Sequence, residues 1–465
     1  MELHINEILE ATGGRLLFGN RQGLITDVSI DSRKSAEGGL FVPLRGTHAD
    51  GHAFIEEALK NDAHAALVQK ANPVAAKLQQ TCPDKNLIEV DDPLRALGDI
   101  ACFWRRKFTP HVVAITGSNG KTTTKEMVWN IIQRKLTSIK NPGNFNNLIG
   151  LPLSLLQLNA GHKAAVLEIG MSEPGEIRRL AEICRPRTGL ITNIGPSHLE
   201  QLETLEEVTA AKAELFESLK SHDIAVVNND DPRVAALAKH TPASILSFGT
   251  TRGDIRGLNM RNCNCFGTAL DLHVMGEQIE VEIRLLGRQM ISNALAAASI
   301  AYTLGIGIED IKEGLESFRG VPGRMETLDL AGVRIINDSY NANPVSMQAS
   351  LAALSSMTSG NRKIAVLGDM LELGKQSRKF HVELGERVAR SNVDYLYLFG
   401  DFSACVREGA VSAGMHSRNI ILCDDLGTLT DKLKKRMDDG DSILLKGSRK
   451  LRMERVIELL QENER

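Results

Sequence analysis

One short stretch of the chain, residues 112–124, constrains the fold more than any other. It opens with the apolar, partly β-branched run 112–115 and continues through a loop bounded by Gly117 and Gly120. After the loop, apolar residues recur at helical spacing, at Met127, Ile131, Ile132 and Leu136. The pattern predicts a buried strand, a tight glycine loop and a helix. Such a loop directs backbone N–H groups and the positive end of the helix dipole at one point, which favours phosphate binding.

The loop is a short variant of a nucleotide-binding motif. The common pattern G-x-x-x-x-G-K-[ST] would place its first glycine at position 115, where this chain has Ile115. Lys121 supplies a cation for the outer phosphates, and the Thr122 hydroxyl can reach an accompanying Mg²⁺. The sequence therefore predicts a nucleoside triphosphate site, with a simple glycine turn and a solvated lysine as the alternative. The predicted nucleotide-binding residues here are Gly117, Ser118, Asn119, Gly120, Lys121, Thr122 and Thr123.

Composition excludes several classes of protein. The chain has 465 residues, enough for about three domains, because single cores seldom exceed ~250 residues. A net charge of −3 and an aromatic content of 4% disfavour a nucleic-acid binder. No run of about 18 apolar residues occurs, and the N-terminus lacks a basic region followed by an apolar one, so we expect a cytoplasmic protein without membrane insertion. The seven scattered cysteines contain no C-x-x-C and predict ordinary thiols.

Alternating strand and helix patterns predict an α/β protein of three domains, with boundaries at 1–107, 108–320 and 321–465. We expect a small α/β N-terminal domain and a central P-loop mononucleotide-binding domain with a mostly parallel sheet. The third domain is predicted to be Rossmann-like and doubly wound.

Two local predictions can be compared directly with the structure. In the first domain, residues 25–33 and 39–46 have the alternation or composition of strands. In the third domain, Asn343 is predicted to cap a helix that starts at Pro344.

Three polar residues in the central domain are candidates for chemistry. Glu168 stands at the end of a predicted buried strand, and His198 follows the next one. Ligands of open α/β sheets bind outside the carboxyl ends of strands, so both can face the loop around Lys121. Lys212 lies in a predicted helix. Taken alone, His198 is equally well a surface histidine, and the pattern around Lys212 favours a solvated helix lysine.

Further motifs extend over nearly the whole chain. They are Asp31-Ser32-Arg33, 40–46, 144–147, 149–152, 168–171, 193–198, 211–214, the helix around Asn293, Gly323-Arg324, 338–344, 367–374 and 446–449. Together with the phosphate loop, these motifs resemble the Mur ligase family. In the third domain, Asn-Ala-Asn-Pro and Lys-Gly-Ser-Arg resemble the dipeptide-adding branch, because the Asp-Asn-Pro-Arg segment of the third-residue-adding branch is missing.

The resemblance implies an ATP-dependent amide ligase of peptidoglycan precursor synthesis. Its N-terminal domain would bind UDP-N-acetylmuramoyl-tripeptide, its central domain ATP, and its C-terminal domain the incoming D-alanyl-D-alanine. The tripeptide carboxylate would become an acyl phosphate that the dipeptide amine attacks. Catalysis of this kind consists mainly of placement and charge neutralisation. We expect a monomer.

The resemblance also implies roles for individual residues. Lys121, Glu168, His198 and Lys212 would be catalytic, and Thr122, Glu168, His198 and Lys212 would hold Mg²⁺. A protonated lysine cannot bind a cation, and the family position matched by Lys212 is carbamylated. ATP would also contact Asn144 or Asn147, Asn293, Arg324 and Asp338. The best candidates for substrate binding are Ser32, Arg33, Arg45, Gly46, Asn341, Asn343, Ser448 and Arg449.

Three alternatives remain open from the sequence. The nearest is another amide ligase of the superfamily, either third-residue-adding or folylpolyglutamate-type. A nucleotide-dependent switch protein is the second, although the chain has no N-K-x-D segment for guanine recognition. A noncatalytic scaffold is the third.

Overall fold

The structure is a computed structural model that describes residues 1–46, 49–197, 199–263, 267–357 and 361–462. By their internal contacts the residues form two compact units. The first contains Met1–Ala114, Leu136–Met171 and Gly175–Arg187, and the second contains Ile115–Lys135, Ser172–Pro174 and Thr188–Arg465. These borders follow contacts and not chain order, and the three domain boundaries remain predictions.

The chain begins with a small α/β region in the first unit. Its strands are β1 (Leu3–His4), β2 (Arg15–Phe18), β3 (Leu24–Ile25), β4 (Asp27–Ser29), β5 (Gly39–Phe41), β6 (Ala65–Gln69) and β7 (Asn86–Val90). Its helices are α1 (Ile5–Thr12), α2 (Ile55–Lys60), α3 (Val74–Thr81) and α4 (Pro93–Arg106). One sheet has the order β2-β7-β6-β5-β4 and is parallel except for β2, while β1 pairs with β3. Phe41, Ile55 and Val68 contribute to its core.

The prediction of a single strand over 25–33 is wrong. Strands β3 and β4 belong to different sheets, and Ser32–Lys34 forms a 3-10 turn. The Asp31 carboxylate accepts a hydrogen bond from the Arg33 backbone N–H at 3.1 Å, a local bond that competes with strand pairing. The strand predicted over 39–46 ends early, at Phe41, and Pro43 has no N–H with which to extend the ladder.

The middle of the chain supplies strands and helices to both units. In chain order they are β8 (His111–Thr116), α5 (Lys121–Ile132), β9 (Ser138–Lys140), α6 (Gly150–Leu155), β10 (Ala164–Glu168), α7 (Glu176–Cys184), β11 (Thr188–Ile191), α8 (Leu205–Glu217), β12 (Ile224–Asn228), α9 (Pro232–Leu237), β13 (Ser244–Gly249), β14 (Ile255–Cys263), β15 (Gly267–Val274), β16 (Glu277–Ile283), α10 (Arg288–Thr303) and α11 (Ile308–Ser317). In the first unit, β9 and β10 pair in parallel. In the second unit, β11 to β14 are parallel neighbours, and β14, β15 and β16 are antiparallel.

The last part of the chain, within the second unit, forms a doubly wound sheet as predicted. Its strands are β17 (Glu326–Leu330), β18 (Val333–Asp338), β19 (Lys363–Gly368), β20 (Tyr395–Phe399), β21 (Ile420–Cys423) and β22 (Ser442–Lys446). Its helices are α12 (Pro344–Ser356), α13 (Ser377–Ala389), α14 (Ser403–Ser412), α15 (Leu426–Lys434) and α16 (Arg455–Glu462). The order is β17-β18-β22-β19-β20-β21, and every pair except β17 with β18 is parallel. The predicted cap is confirmed, because Asn343 Oδ1 accepts from the Ser346 N–H at 2.9 Å.

Candidate active site

The predicted strand, glycine loop and helix are confirmed in β8, residues 117–120 and α5. Gly117 has a φ of 145° and Gly120 a φ of 83°, values that side chains of L-residues rarely adopt. A Cβ atom on Gly117 would also collide with the Thr192 hydroxyl, and one on Gly120 with the Asn293 amide oxygen. Both glycines are therefore required by backbone geometry and by close packing.

The segment after β11 holds the loop in place. The Ser118 N–H donates to the Asn193 carbonyl at 3.0 Å, and the Asn119 N–H donates to Asn193 Oδ1 at 2.9 Å. The Ser118 hydroxyl donates to the Gly195 carbonyl at 2.8 Å and accepts from the Gly195 N–H at 2.9 Å. Because two backbone N–H groups of the loop are bonded in this way, the loop conformation is fixed by the second unit itself.

Lys121 is the first residue of α5, and its ammonium lies over the loop. Its Nζ donates to the Gly117 carbonyl at 2.7 Å. Thr122 and Thr123 are buried in the first turn of the same helix. Asn293 of α10 is also buried, lies against Gly120 and donates to Met290 Sδ at 3.8 Å. Asn293, a predicted ATP contact, thus adjoins the phosphate loop, and its role remains a prediction.

Lys212 is buried in α8, with 2% of its surface exposed. The pKa of Lys212 lies well below its ordinary value. Burial is the main cause, and the charge of Lys121 is the second. Among the described residues, none forms a hydrogen bond or ion pair with its amine. Lys212 is therefore not a solvated helix lysine. Its amine loses its proton, and becomes nucleophilic, more readily than the amine of an exposed lysine. His198, the neighbouring candidate in sequence analysis, lies outside the described residues.

The lowered pKa of Lys212 leads to a prediction about how stability depends on pH. At pH values between the lowered pKa and the ordinary pKa of about 10.4, Lys212 carries a proton in the unfolded chain but not in the folded chain. The free energy of unfolding contributed by Lys212 therefore rises with pH across that interval and falls as pH is lowered through it. We expect Lys212→Met to remove this slope and to stabilise the fold at pH 7 in bicarbonate-free buffer, measured by denaturant unfolding between pH 7 and 10. The exposed Lys220, changed to Met, is the control; an equal slope in both variants would contradict the assignment.

The phosphate loop is joined to the cap of α12 by a pair of amides. Asn343 Nδ2 donates to Asn119 Oδ1 at 2.8 Å, and Asn119 Nδ2 lies 3.4 Å from Asn343 Oδ1. Asn343 also holds the first turn of α12 through both its side chain and its N–H, the latter donating to Ser346 Oγ at 3.0 Å. One asparagine therefore serves the helix cap and the loop together.

Asn343→Ala is expected to lower the free energy of unfolding by about 1 kcal/mol, the usual cost of losing an N-cap. The measurement is denaturant unfolding, with Asn341→Ala on the same loop as the control. A double-mutant cycle with Asn119→Ala isolates the amide pair from the cap. Additive effects of the two changes would mean that the pair contributes nothing in solution.

Two predicted ATP contacts in the third predicted domain have partners within it. The Arg324 guanidinium stacks 3.9 Å from the centre of the Tyr340 ring. Asp338 accepts from Lys446 Nζ at 2.5 Å, from Ser350 Oγ at 2.6 Å and from the Met325 N–H at 3.1 Å. Lys446 is buried, so this carboxylate is held rigidly at the end of β18.

The predicted substrate residues near the last strand divide into buried and exposed ones. Asn341 offers its carbonyl to Lys446 Nζ at 3.0 Å. Ser448 is buried and accepts from the Leu371 N–H at 2.8 Å, which orders the loop after β19. The Arg449 guanidinium is exposed and pairs with Glu454 at 2.7 Å.

In the first unit, Glu168 is buried at the end of β10 and held by asparagines. Asn146 Nδ2 donates to Glu168 Oε1 at 2.7 Å, and Asn141 bonds both the N–H and the carbonyl of Glu168 at 2.9 Å. The Asn147 side chain instead accepts from the Gly150 N–H at 2.9 Å at the start of α6, and Asn144 is exposed. The prediction that Asn144 or Asn147 contacts phosphate stays a prediction. The bond from Asn146 to Glu168 was not predicted, and its only signal in the sequence is membership of the same asparagine-rich turn.

The remaining substrate candidates lie in the N-terminal region and have acidic partners. Ser32 Oγ donates to Glu57 at 3.1 Å. Arg33 makes two bonds of 2.9 Å to Asp31, a pairing that lowers the pKa of Asp31 to about 2. The Arg45 guanidinium lies 3.4 Å from Asp50. The Gly46 N–H donates to the Ala49 carbonyl at 2.9 Å.

Two of the residues predicted to hold Mg²⁺, Thr122 and Glu168, carry oxygen donors. Over the described ranges, no group of three or more His, Cys, Asp and Glu side chains is arranged to hold a metal ion. Magnesium commonly takes one or two carboxylates or hydroxyls, keeps several waters and completes its shell with substrate phosphates. The Thr122 hydroxyl at the phosphate loop and the Glu168 carboxylate are oxygen ligands of this kind.

Comparison with known proteins places this geometry in a family. The model of the Mur ligase family, catalytic domain, matches residues 24–105, that of the Mur ligase middle domain matches 115–301, and that of the Mur ligase, glutamate ligase domain, matches 323–449. The chain is 33% identical over 445 residues to the UDP-N-acetylmuramoyl-tripeptide--D-alanyl-D-alanine ligase of Bacillus subtilis (strain 168), covering 95% of this chain and 94% of the relative.

Two solved structures share the whole architecture. A crystal structure of MurF from Acinetobacter baumannii matches with a TM-score of 0.90, 29% identity and 99% of each chain covered. MurF ligase from Thermotoga maritima in complex with ADP matches with a TM-score of 0.82 and 33% identity, covering 94% of this chain and 97% of that one. The three-domain α/β architecture expected from the sequence is thereby confirmed. The middle domain contains the phosphate loop, and the relatives align along nearly the full length of the chain. The chain therefore belongs to the Mur ligase family.

Proposed function

We propose that this protein joins D-alanyl-D-alanine to UDP-N-acetylmuramoyl-tripeptide in an ATP-dependent reaction of peptidoglycan precursor synthesis. The observation that carries the proposal is the buried Lys212 within electrostatic reach of Lys121 on the phosphate loop. A phosphate-binding loop alone fits many nucleotide-binding proteins. A desolvated lysine amine beside it has no task in a nucleotide switch, whereas a ligase of this family uses it.

The proposed reaction has two steps. The terminal carboxylate of the tripeptide attacks the γ-phosphorus of ATP, and ADP leaves, which gives an acyl phosphate. The dipeptide amine, having lost a proton, then attacks the acyl carbon, and inorganic phosphate leaves with the carbon–oxygen bond electrons. Lys121 and the loop N–H groups neutralise and position the phosphates, which is the main protein contribution to phosphoryl transfer.

Glu168, His198, Lys212 and Thr122 are the residues proposed to hold Mg²⁺, whose chemistry here is neutralisation of phosphate and carboxylate charge. The support for Lys212 is its lowered pKa, because only a neutral amine adds CO₂ to form an anionic carbamate. Asn146 positions the Glu168 carboxylate through its 2.7 Å bond. Glu168 therefore keeps one orientation as a ligand.

The remaining assignments follow the same proposal. Asn293 would contact adenine, with Arg324 and Asp338 reaching ATP, and Asn144 or Asn147 the phosphates. The substrates would meet Ser32, Arg33, Arg45, Gly46, Asn341, Asn343, Ser448 and Arg449. We also propose a monomer acting in the cytoplasm, where nucleotide-linked precursors are made. Within the described ranges, no helix is long and apolar enough to cross a membrane.

The test is a direct assay of acceptor use. The protein is incubated with ATP, Mg²⁺ and the lysine or diaminopimelate form of the UDP-tripeptide, with and without D-alanyl-D-alanine. The expected result is phosphate release that requires the dipeptide and a product heavier by one dipeptide less water. Phosphate release without any amine would favour a nucleotide switch. Use of a single amino acid or of glutamate instead would favour another ligase of the superfamily.

A further inference from the structure

A cleft that none of the predicted functions uses lies between α12, α13 and the loop after β11. It encloses about 140 Å³, and a cavity of about 150 Å³ holds one benzene molecule. It is lined by Pro196, Pro344, Val345, Met347, Gln348, Met370, Phe380, Glu383, Leu384 and Arg387. A nucleotide is far too large for this space. One small amino-acid residue fits, and because the cleft is open, the rest of a short peptide can extend from it.

The cleft adjoins the phosphate loop on two sides. Pro196 lies between Gly195 and Ser197, whose backbone and hydroxyl groups hydrogen bond with Ser118 of the loop. Pro344 directly follows Asn343, which hydrogen bonds to Asn119 of the same loop. A molecule seated in the cleft is thus held by the segments that hold the site of phosphoryl transfer.

The charges in the cleft are arranged along α13, where Glu383 also lies 3.9 Å from the exposed Lys379. Glu383 and Arg387 are four residues apart, which corresponds to about 6 Å along a helix axis. An extended dipeptide separates its ammonium and carboxylate by about 7 Å. Because α13 follows the carboxyl end of β19, Glu383 lies nearer to the strand ends than Arg387 does. A dipeptide bound along α13 would therefore place its amine toward the ligand-binding edge of the sheet.

Arg387 differs from the other arginines of this helix region. Arg378 pairs with Glu408 at 2.7 Å, and Arg390 pairs with Glu386 at 3.4 Å. Arg387 is exposed and lines the cleft, and in the described part of the chain it has no carboxylate within ion-pair distance. A guanidinium placed in this way is suited to a carboxylate supplied by a ligand.

We propose that this cleft binds the C-terminal residue of the acceptor dipeptide, with Arg387 bonded to its carboxylate and Glu383 facing its ammonium. The apolar side chains of Met347, Met370 and Leu384 surround its methyl group. This inference rests on the proposed function and adds to it the site and the specificity group for the acceptor. It predicts that the acceptor dipeptide needs an unblocked carboxylate.

The test compares D-alanyl-D-alanine with its C-terminal amide, which lacks the carboxylate charge. We expect the unchanged enzyme to have a KM about tenfold lower for the acid than for the amide, the effect of one charge-assisted hydrogen bond. Arg387→Gln is expected to raise the KM for the acid to that for the amide, with kcat and the KM values for ATP and the UDP-tripeptide unchanged. Arg390→Gln, on the same helix and outside the cleft, is the matched control.

The outcomes distinguish failure of the acceptor-site proposal from failure of the proposed function. If the unchanged enzyme forms product and Arg387→Gln keeps its preference for the acid, the cleft is not the acceptor site. The same conclusion follows if Arg390→Gln loses the preference equally. If the unchanged enzyme forms no product from either acceptor, the proposed function itself fails, and the inference with it. Thermal unfolding of each variant confirms that the fold is retained.

Discussion

Lys212→Ala is expected to lower kcat for amide formation by about a thousandfold or more, because the loss of a charge-neutralising ligand is worth several kcal/mol at the transition state. The amine is buried, its pKa is held well below the ordinary value by burial and then by Lys121, and no described residue neutralises it. Burying such a group lowers the free energy of unfolding. Initial rates of phosphate release and product mass would measure the loss.

Small carboxylates provide the second half of this experiment. If Lys212 acts as a carbamate, acetate or formate should restore part of the activity of Lys212→Ala, since alanine leaves space for them. They should not restore Lys212→Met, in which that space is filled. Lys220→Ala, an exposed lysine just after α8, is the matched control. Turnover by Lys212→Ala equal to that of the control would remove Lys212 from the site.

Lys121→Ala is expected to reduce kcat by about 10² to 10³, the range found when one preorganised donor to transition-state charge is removed. Its ammonium lies 2.7 Å from the Gly117 carbonyl at the rim of the loop, where phosphate oxygens would collect. A second effect is expected, because removing this charge raises the pKa of Lys212 and leaves less neutral amine. Higher pH should therefore restore part of the lost rate.

The control for this change is Lys135→Ala, an exposed lysine that follows α5 and pairs with Asp310 at 3.2 Å. Its loss should leave the pH profile and kcat unchanged. A cell that depends on this protein and grows normally with Lys121→Ala would point to a noncatalytic scaffold. Equal losses in both lysine variants would mean that the effect is one of folding and not of phosphate binding.

The strand, glycine loop and helix of the phosphate site could be read from the sequence, because each depends on neighbours in the chain. A β-branched run, two glycines and apolar residues at helical spacing determine that unit locally. The cap at Asn343 was predicted for the same reason. The prediction of a strand over 25–33 was wrong. Alternation of apolar and polar residues does not show whether a short-range hydrogen bond, such as that from the Arg33 N–H to Asp31, competes with strand pairing.

Residue type and order by themselves determined the three α/β sheets, the phosphate loop and the family to which the chain belongs. Only the tertiary structure decided that Lys212 is desolvated, that Asn146 bonds the Glu168 carboxylate, and that Arg387 lines a cleft with no carboxylate of the described residues within ion-pair distance. The physical reason is that burial and partner choice arise between segments distant in the chain. The pKa of a lysine or the orientation of a carboxylate depends on those contacts, and no local pattern carries them.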